Sequence, residues 1–259
     1  MLAVFRARVT PPGAQPGRCP VRAGTRPSRP GIASGDRAPG GGGEAGRAGG
    51  ACAGSIILPV HPDYPIRTER LILRPFTPGD VDDLHAYRSR ADVARYLYSG
   101  PSASRQATSE EPSRRTGETR LVSEGDRLWL AVLLAESGAL VGDVLLRYTS
   151  AVHRQGEIAF VFNPSCHGRG LATEAARAML RLAFAEMGLH RVIGRCDARN
   201  GASARLMERL GMAREAHFIE NEFVKGEWTG KFVYAIREQQ WSGEGRTPVA
   251  GVAGRRQAR

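Results

Sequence analysis

One stretch of the chain has residue types that suit phosphate binding, Asn163-Pro-Ser-Cys-His-Gly-Arg-Gly-Leu-Ala-Thr-Glu-Ala175. It joins a run typical of a strand to a run typical of a helix. Glycines in such a turn let the backbone approach a ligand closely, and the unpaired amides and dipole of the following helix favour an anion there. Arg169 adds a mobile cation. Taken alone, the stretch fits a phosphate site and an ordinary connection about equally well.

The elements around this turn follow from the periodicity of apolar residues. Polar and apolar residues alternate in Arg70-Leu-Ile-Leu-Arg-Pro-Phe76, as in a strand with one buried face. Strands are predicted at 70–76, 128–134, 140–148, 157–162, 191–196, 218–223 and 232–236. Helices are predicted to begin at the capping residue Asp80 and near Val93, and to span 170–187 and 203–210.

Residues 99–125 are polar and hold Pro101, Pro112 and Gly117, so their structure is left open, with a helix as one alternative. Elsewhere, strand runs are followed by a strand-helix-strand crossover. This order predicts an α/β domain with a mixed sheet and helices on both faces.

Charge separates a nearly neutral middle from two basic ends. The 259 residues carry a net charge of +11 and are 41% hydrophobic, which excludes a wholly disordered chain. Residues 1–55 hold eight arginines against two acidic residues, and the short 242–259 segment is also basic. Their Gly, Pro and Ala content predicts two disordered tails around a domain at 56–241.

The N-terminal tail has three interpretations: a solvated tail, an extension translated from a misplaced start codon, or a nucleic-acid-binding arm. No aromatic residue interleaves with the arginines after Phe5, which favours the first two. No run approaches the roughly 18 to 20 apolar residues that a membrane-spanning helix needs, so no membrane contact is expected. Monomer and homodimer both remain open.

The four cysteines, Cys19, Cys52, Cys166 and Cys196, form no CxxC pair and no grouping with histidines at metal-ligand spacing. Neither a disulfide framework nor a metal site is therefore predicted, and a reducing cytoplasm is the expected location. Cys196 lies in an apolar strand, where a cysteine is usually a small core residue, so a thiol nucleophile is set aside.

Two segments resemble the motifs of the GNAT acetyltransferase superfamily. The first motif of that family runs Gln or Arg, two variable residues, Gly, one variable residue, then Gly or Ala. Here it is His167-Gly-Arg-Gly170-Leu-Ala172, with His167 in place of the usual first residue. The second segment, Asn200-Gly-Ala-Ser203-Ala-Arg-Leu-Met-Glu-Arg-Leu-Gly211-Met212, resembles the Asn, Ser, Leu-Gly-Phe segment of the family.

The resemblance covers residues 66–237. Arg67-Thr-Glu-Arg-Leu-Ile-Leu-Arg-Pro75 and Glu157-Ile are similar in style to the ribosomal-protein N-acetyltransferase branch. The family's fold is implied: a twisted, mostly antiparallel sheet in which two parallel strands splay apart to admit a thioester. Those strands would be 157–162 and 191–196.

The resemblance also implies acetyl-CoA as co-substrate and assigns its contacts. Backbone groups of Phe160 to Phe162 would pair with the pantetheine arm, and an amide near Val161 would polarise the thioester carbonyl. Asn200 would hydrogen-bond the pantetheine. The pyrophosphate would lie in the first motif, on His167, Gly168, Arg169, Gly170, Leu171, Ala172 and Thr173.

The implied reaction is direct attack of an amine on the thioester, with a base that removes the amine proton and an acid that protonates the thiolate. Ser203 is where this branch often places the acid, although a serine at a helix start is also a common cap. Glu157 and Glu222 match acidic positions of the branch, and either could be the base, directly or through water. Alternation would put Glu220 and Glu222 on the same face of a strand. The alternative to a catalytic role for them is that this face is simply exposed to solvent.

The expected acceptor is a primary amine, on a protein N-terminus or a small molecule. An aminoglycoside-type acceptor is polycationic and would need an acidic cleft, to which Glu157, Glu220 and Glu222 could contribute. A non-catalytic module that only binds acyl-CoA is the alternative from another class, because His167 departs from the motif and the base is not identified.

Overall fold

The computed structural model describes residues 58–114 and 118–241, and the predicted tails lie outside them. The strands are β1 Ile66–Arg67, β2 Leu71–Arg74, β3 Arg127–Leu134, β4 Leu140–Ser150, β5 Gln155–Phe162, β6 Arg191–Asp197, β7 Ala213–Val224 and β8 Glu227–Arg237. The α-helices are α1 Val81–Arg88, α2 Ala91–Ala94, α3 Arg105–Arg114, α4 Leu171–Arg181 and α5 Gly201–Arg209.

All eight strands form one sheet in the order β1-β2-β3-β4-β5-β6-β8-β7. Neighbouring strands are antiparallel except β5 and β6, which are parallel. The prediction of a mixed, mostly antiparallel sheet with a parallel pair is confirmed. Among the described residues, none of the helices has the length and apolar composition needed to cross a membrane.

Helices cover both faces of the sheet, as predicted. On one face, Phe160 of β5 packs in the larger core with Leu171 and Met179 of α4 and with residues of α5. On the opposite face, Tyr87 of α1 packs with Val161 of β5 in a second core. Because successive strand residues point to opposite faces, β5 contributes to both cores and is buried along almost its whole length.

The parallel pair separates halfway along its length. Gln155–Ile158 pairs with Arg191–Gly194, and beyond these residues β5 keeps only β4 as a partner while β6 keeps only β8. The predicted splay is therefore present. At its start, a Cβ on Gly194 would lie 2.6 Å from Sδ of Met207, so the glycine lets α5 pack closely on β6.

Some elements differ from the sequence prediction in extent. Residues 99–125 contain α3, which the sequence left open because the helix has no apolar stripe. Polar contacts hold it on α1: Arg105 pairs with Asp82, and the Thr108 hydroxyl lies 2.8 Å from Nδ1 of His85. The predicted helix at 170–187 is α4 followed by a π-helical turn, Leu182–Glu186.

Candidate active site

The turn between β5 and α4 presents backbone amides to solvent. Gly168 and Gly170 both have left-handed φ angles, 76° and 78°, which glycine adopts without strain. Gly170 is the N-cap of α4 and offers no side chain to the first-turn amides. The turn therefore has the geometry of an anion site at a helix N-terminus.

Two motif residues behave differently from the glycines. The His167 ring lies in the turn, with Nε2 3.2 Å from the Phe162 carbonyl, so a ring N–H donates to the backbone. This hydrogen bond ties the turn to the last residue of β5. Arg169 is absent from the lining of the adjacent cleft, and its carbonyl oxygen accepts a hydrogen bond from Nη1 of Arg70 at 3.0 Å.

Arg70 and Glu174 clamp the turn onto the start of β2. The Arg70 guanidinium donates to Glu174 Oε2 at 2.7 Å, while the Arg70 amide and the Thr68 hydroxyl donate to Oε1 at 2.8 and 2.6 Å. Partial burial opposes ionisation of Glu174, but these donors outweigh it and lower its pKa. The pairing with Arg70 neutralises a carboxylate that would otherwise repel an anion at the turn.

A cleft of about 830 Å³ opens between the turn, the separated end of β5 and the start of α5. The predicted residues that line it are Phe160, Val161, Phe162, His167, Gly168, Gly170, Leu171, Ala172, Thr173, Asn200 and Ser203. Asp92 and Tyr96, which the sequence analysis did not single out, line it as well. The two motifs, some thirty residues apart, thus meet in one cleft.

Asn200, rather than Ser203, caps α5. The Asn200 side-chain oxygen accepts a hydrogen bond from the Ser203 amide at 3.1 Å, and both residues are buried. The interpretation of Ser203 as a helix cap is therefore wrong, because Ser203 is the third residue of a helix that begins two residues earlier than predicted.

Glu157 is fully buried and paired with an arginine. Arg195 donates to both of its carboxylate oxygens, at 2.7 and 2.6 Å. Desolvation lowers the Arg195 pKa, but the hydrogen bonds to Glu157, the larger effect, raise it overall. Glu157 lies directly across from Arg147 of β4. Because it is three residues before Phe160 on the same strand, its side chain lies on the opposite face of the sheet, and it is outside the cleft lining.

Glu222 also lies outside the cleft lining and is held by a tyrosine and a lysine. The Tyr98 hydroxyl and Lys231 Nζ both donate to its carboxylate, and Nζ of Lys231 lies 4.8 Å from the Tyr98 ring centre. Partial burial opposes ionisation of Glu222, but the two donors outweigh it and lower its pKa. Burial and the bond to Glu222 raise the Tyr98 pKa, so the hydroxyl stays protonated.

Glu157, Glu220 and Glu222 do not form the acidic cleft that an aminoglycoside-type acceptor would need. Glu157 and Glu222 are both neutralised by cations, and Glu220 lies exposed in a bulge of β7 with a left-handed φ of 48°. The bulge breaks the alternation that placed Glu220 and Glu222 together. Other carboxylates of this face are paired too: Asp143 with Arg88, and Asp197 with Arg199.

Sequence reasoning missed Tyr98, Arg195, Lys231 and the Arg70–Glu174 clamp. For Arg195 a signal existed, since alternation along β6 puts it opposite the buried Val192 and Cys196. Tyr98 gave no signal, because it follows α2 in a segment without periodicity. Among the described residues, no three His, Cys, Asp or Glu side chains lie close enough together to hold a metal ion.

Comparison with known proteins places these features in one family. The family model described as an acetyltransferase (GNAT) domain matches residues 70–213. The uncharacterized N-acetyltransferase YnaD of Bacillus subtilis is 32% identical over 177 residues, which cover 68% of this chain and 99% of the relative.

Solved structures agree with the fold. A GNAT-family acetyltransferase from Bacillus anthracis superposes with a TM-score of 0.60 at 34% identity and covers 67% of this chain and 98% of its own. The spermidine N-acetyltransferase from Vibrio cholerae, solved in complex with CoA and spermine, gives a TM-score of 0.57 at 21% identity and the same coverage.

Proposed function

This chain belongs to the GNAT acetyltransferase family and is an N-acetyltransferase, and on that premise we propose that it transfers the acetyl group of acetyl-CoA to a primary amine at the cleft between β5 and α5. The observation that carries the proposal is the meeting of three features. An uncapped helix N-terminus with two left-handed glycines, a separated parallel strand pair and Ser203 all border the same cleft.

The residues fit the co-substrate in chemistry and order. The amides from Gly168 to Thr173 supply hydrogen bonds for the diphosphate, and the Arg70–Glu174 clamp fixes them. Beyond Ile158, β5 has no partner on its β6 side, so alternate backbone groups up to Phe162 can pair with the amides of the pantetheine. Asn200 borders that path, and the Val161 amide is our candidate for polarising the thioester carbonyl.

Acetyl transfer then needs one proton acceptor and one donor. The neutral amine attacks the thioester carbon, a C–N bond forms, the C–S bond breaks, and the amine proton leaves while the thiolate gains one. We assign protonation of the thiolate to Ser203, which lines the cleft and is not the N-cap residue of α5. Glu222 is the better candidate base, acting through water, because Tyr98 and Lys231 both contact its Oε2 atom, whereas Arg195 engages both oxygens of Glu157.

The acceptor is defined here only as a primary amine, on a protein N-terminus or on a small molecule. The likeness of Arg67–Pro75 to the ribosomal-protein branch supports a protein N-terminus, and the size of the cleft also admits a small molecule. A polycationic acceptor of the aminoglycoside or polyamine type receives less support, because Glu157 and Glu222 are already neutralised.

Calorimetry with the full chain tests the placement of acetyl-CoA. We expect Gly170→Glu to lose binding at least about 100-fold, because the new side chain strains a left-handed residue and brings a negative charge to the phosphate site. Gly138→Glu is the matched control, since Gly138 has φ 71° in the β3–β4 turn, away from the cleft.

Equal losses in the two variants would mean that the fold, and not the site, is affected. Unchanged affinity in Gly170→Glu would rule out this turn as the binding site. Release of free thiol in the presence of a panel of amines tests the transfer itself, and tight binding of acetyl-CoA without release on any amine would contradict it.

A further inference from the structure

Five charged residues form a cluster on the sheet face opposite α4: Arg147, Glu157, Arg195, Glu222 and Lys231, which we call the charged face. Glu157 pairs with Arg195, and Glu222 with Lys231. Tyr98 links the two pairs, because its hydroxyl donates to Glu222 and the nearby charges of Arg195 and Glu157 shift its pKa. Arg147 forms no ion pair with any residue that the structure describes.

Arg147 is also incompletely satisfied. It is half-buried, and its Nε atom is buried with no hydrogen-bond partner among residues 58–114 and 118–241. Arg127 lies directly across from it on β3, but Arg127 is paired with Glu118 and leaves Arg147 without an acceptor. A buried donor without an acceptor destabilises the protein unless an anion is present.

The position of Arg147 connects it with the transfer site. Its cross-strand partner is Glu157, and paired residues on neighbouring strands have their Cβ atoms about 5 Å apart on one face. Glu157 in turn holds Arg195, the first residue of β6 beyond the stretch that pairs with β5. The charged face therefore begins where β5 and β6 separate, on the side of the sheet opposite α4.

Arg195 also retains binding capacity. It uses Nε and Nη2 for Glu157, and Nη1 makes no hydrogen bond to a described residue. Its side chain is 35% exposed. Counting both pairs and Arg147, the charged face carries a net charge of +1, with the surplus on guanidinium groups. Guanidinium binds carboxylate and phosphate through two parallel hydrogen bonds.

We propose that the acceptor amine carries an anionic group, a carboxylate or a phosphate, that binds between Arg147 and Arg195 while the amine reaches the thioester. This inference rests on the proposed function and narrows its substrate class. The anion satisfies the donors of Arg147. A polycation meets a surplus of like charge on the same face and is disfavoured.

A matched series of acceptors tests the preference. ω-Amino acids with spacers of two to six carbons are compared with their terminal amides and with diamines of the same length, and 2-aminoethyl phosphate with ethanolamine. We expect kcat/KM for the best anionic member to exceed that of its neutral counterpart at least about tenfold, with diamines lowest. Comparing the gain in kcat/KM for the carboxylate series with the gain for 2-aminoethyl phosphate identifies which anion the site prefers.

Arg147→Met isolates the arginine. We expect it to bring the anionic-to-neutral ratio close to one, to leave neutral amines unchanged, and to raise rather than lower the melting temperature, because an unsatisfied buried donor is removed. Arg191→Met is the control: Arg191 lies at the other end of β6 from Arg195 and pairs with Glu215 of β7, so the ratio should stay as in the wild type.

The outcomes separate this inference from the proposed function. Turnover with equal or better use of neutral amines or diamines overturns the anionic acceptor and leaves acetyl transfer standing. A lower melting temperature in Arg147→Met with an unchanged ratio makes Arg147 a structural residue and also overturns it. If no amine is acetylated, calorimetric binding of 5-aminovalerate or 2-aminoethyl phosphate to the CoA-saturated chain, lost in Arg147→Met, still supports the site, and no binding contradicts it.

Discussion

The coenzyme side and the charged face of the same sheet are built by different means. On the coenzyme side, the binding groups are mostly backbone amides of one continuous turn, and glycine conformations set their direction. On the charged face, the groups are side chains from five strands and the segment after α2, and all of them except Arg147 are held by an ion pair or a hydrogen bond to another element. The first arrangement depends on local geometry, whereas the second depends on tertiary contacts.

This difference predicts how the two regions respond to substitution. Removing a side chain on the coenzyme side that caps no helix leaves the backbone donors and the fold in place, so stability changes little and any effect appears in the rate. Removing a member of a buried pair on the charged face leaves an uncompensated charge, so stability changes first.

The largest effect is expected from Glu157→Ala. Because Glu157 is buried and Arg195 loses its partner, we expect the free energy of unfolding in urea to fall by about 3–5 kcal/mol. Glu238→Ala is the control, since its pair with Arg154 is long and exposed and should contribute below about 1 kcal/mol. Similar losses in the two variants would break the distinction between buried and exposed pairs.

An intermediate effect on rate alone is expected from Ser203→Ala. If Ser203 protonates the leaving thiolate, kcat should fall about 100-fold, with the KM for acetyl-CoA and the melting temperature nearly unchanged. Asn200→Ala is the contrasting variant, because loss of the α5 cap should cost about 1 kcal/mol of stability. A Ser203→Ala enzyme with wild-type kcat would remove this residue from the mechanism.

The smallest effect concerns pH. The fold holds the pKa of Glu222 below its unfolded value of about 4.3, so its pairing stabilises the protein above that pH and the contribution disappears as pH falls through the folded pKa. We expect Glu222→Gln to cost below about 1 kcal/mol at pH 7, and the difference from wild type to vanish at acidic pH.

Unfolding curves between pH 3 and pH 7 measure that difference. Glu220→Gln is the control on the same strand, because Glu220 is exposed in the bulge. A cost of Glu222→Gln that grows as the pH falls would contradict the sign derived from the ion pair.

The contrast between the two sides also decides what could be read from the sequence. The sheet apart from β1, and the helices α1, α4 and α5, followed from apolar periodicity, because each buries apolar residues against one of the two cores. The helix α3 did not follow, since Arg105 and Thr108 hold it on α1 through polar contacts that leave no periodic signal. The bulge at Glu220 was missed for a related reason: nothing in an alternating pattern marks where a strand gains residues.

Within the site, the prediction was most complete where residues are close in sequence. The turn from His167 to Thr173 is one motif, and most of it lines the cleft. Glu157 and Glu222 were identified as acidic positions, but their partners, Arg195 and Lys231, are 38 and 9 residues away and come close only through strand pairing. No local pattern specifies such a partner, so the charge balance of the face could not be predicted.

The Arg70–Glu174 clamp has a consequence for the order of folding. Its partners, Arg70 and Glu174, are 104 residues apart along the chain. Contacts of such sequence separation form late, because the entropy of closing the loop must be offset by structure already present. The turn between β5 and α4 is therefore anchored only when β2 has joined the sheet, so co-substrate binding at the proposed site would report the completed domain rather than its local strand-turn-helix unit.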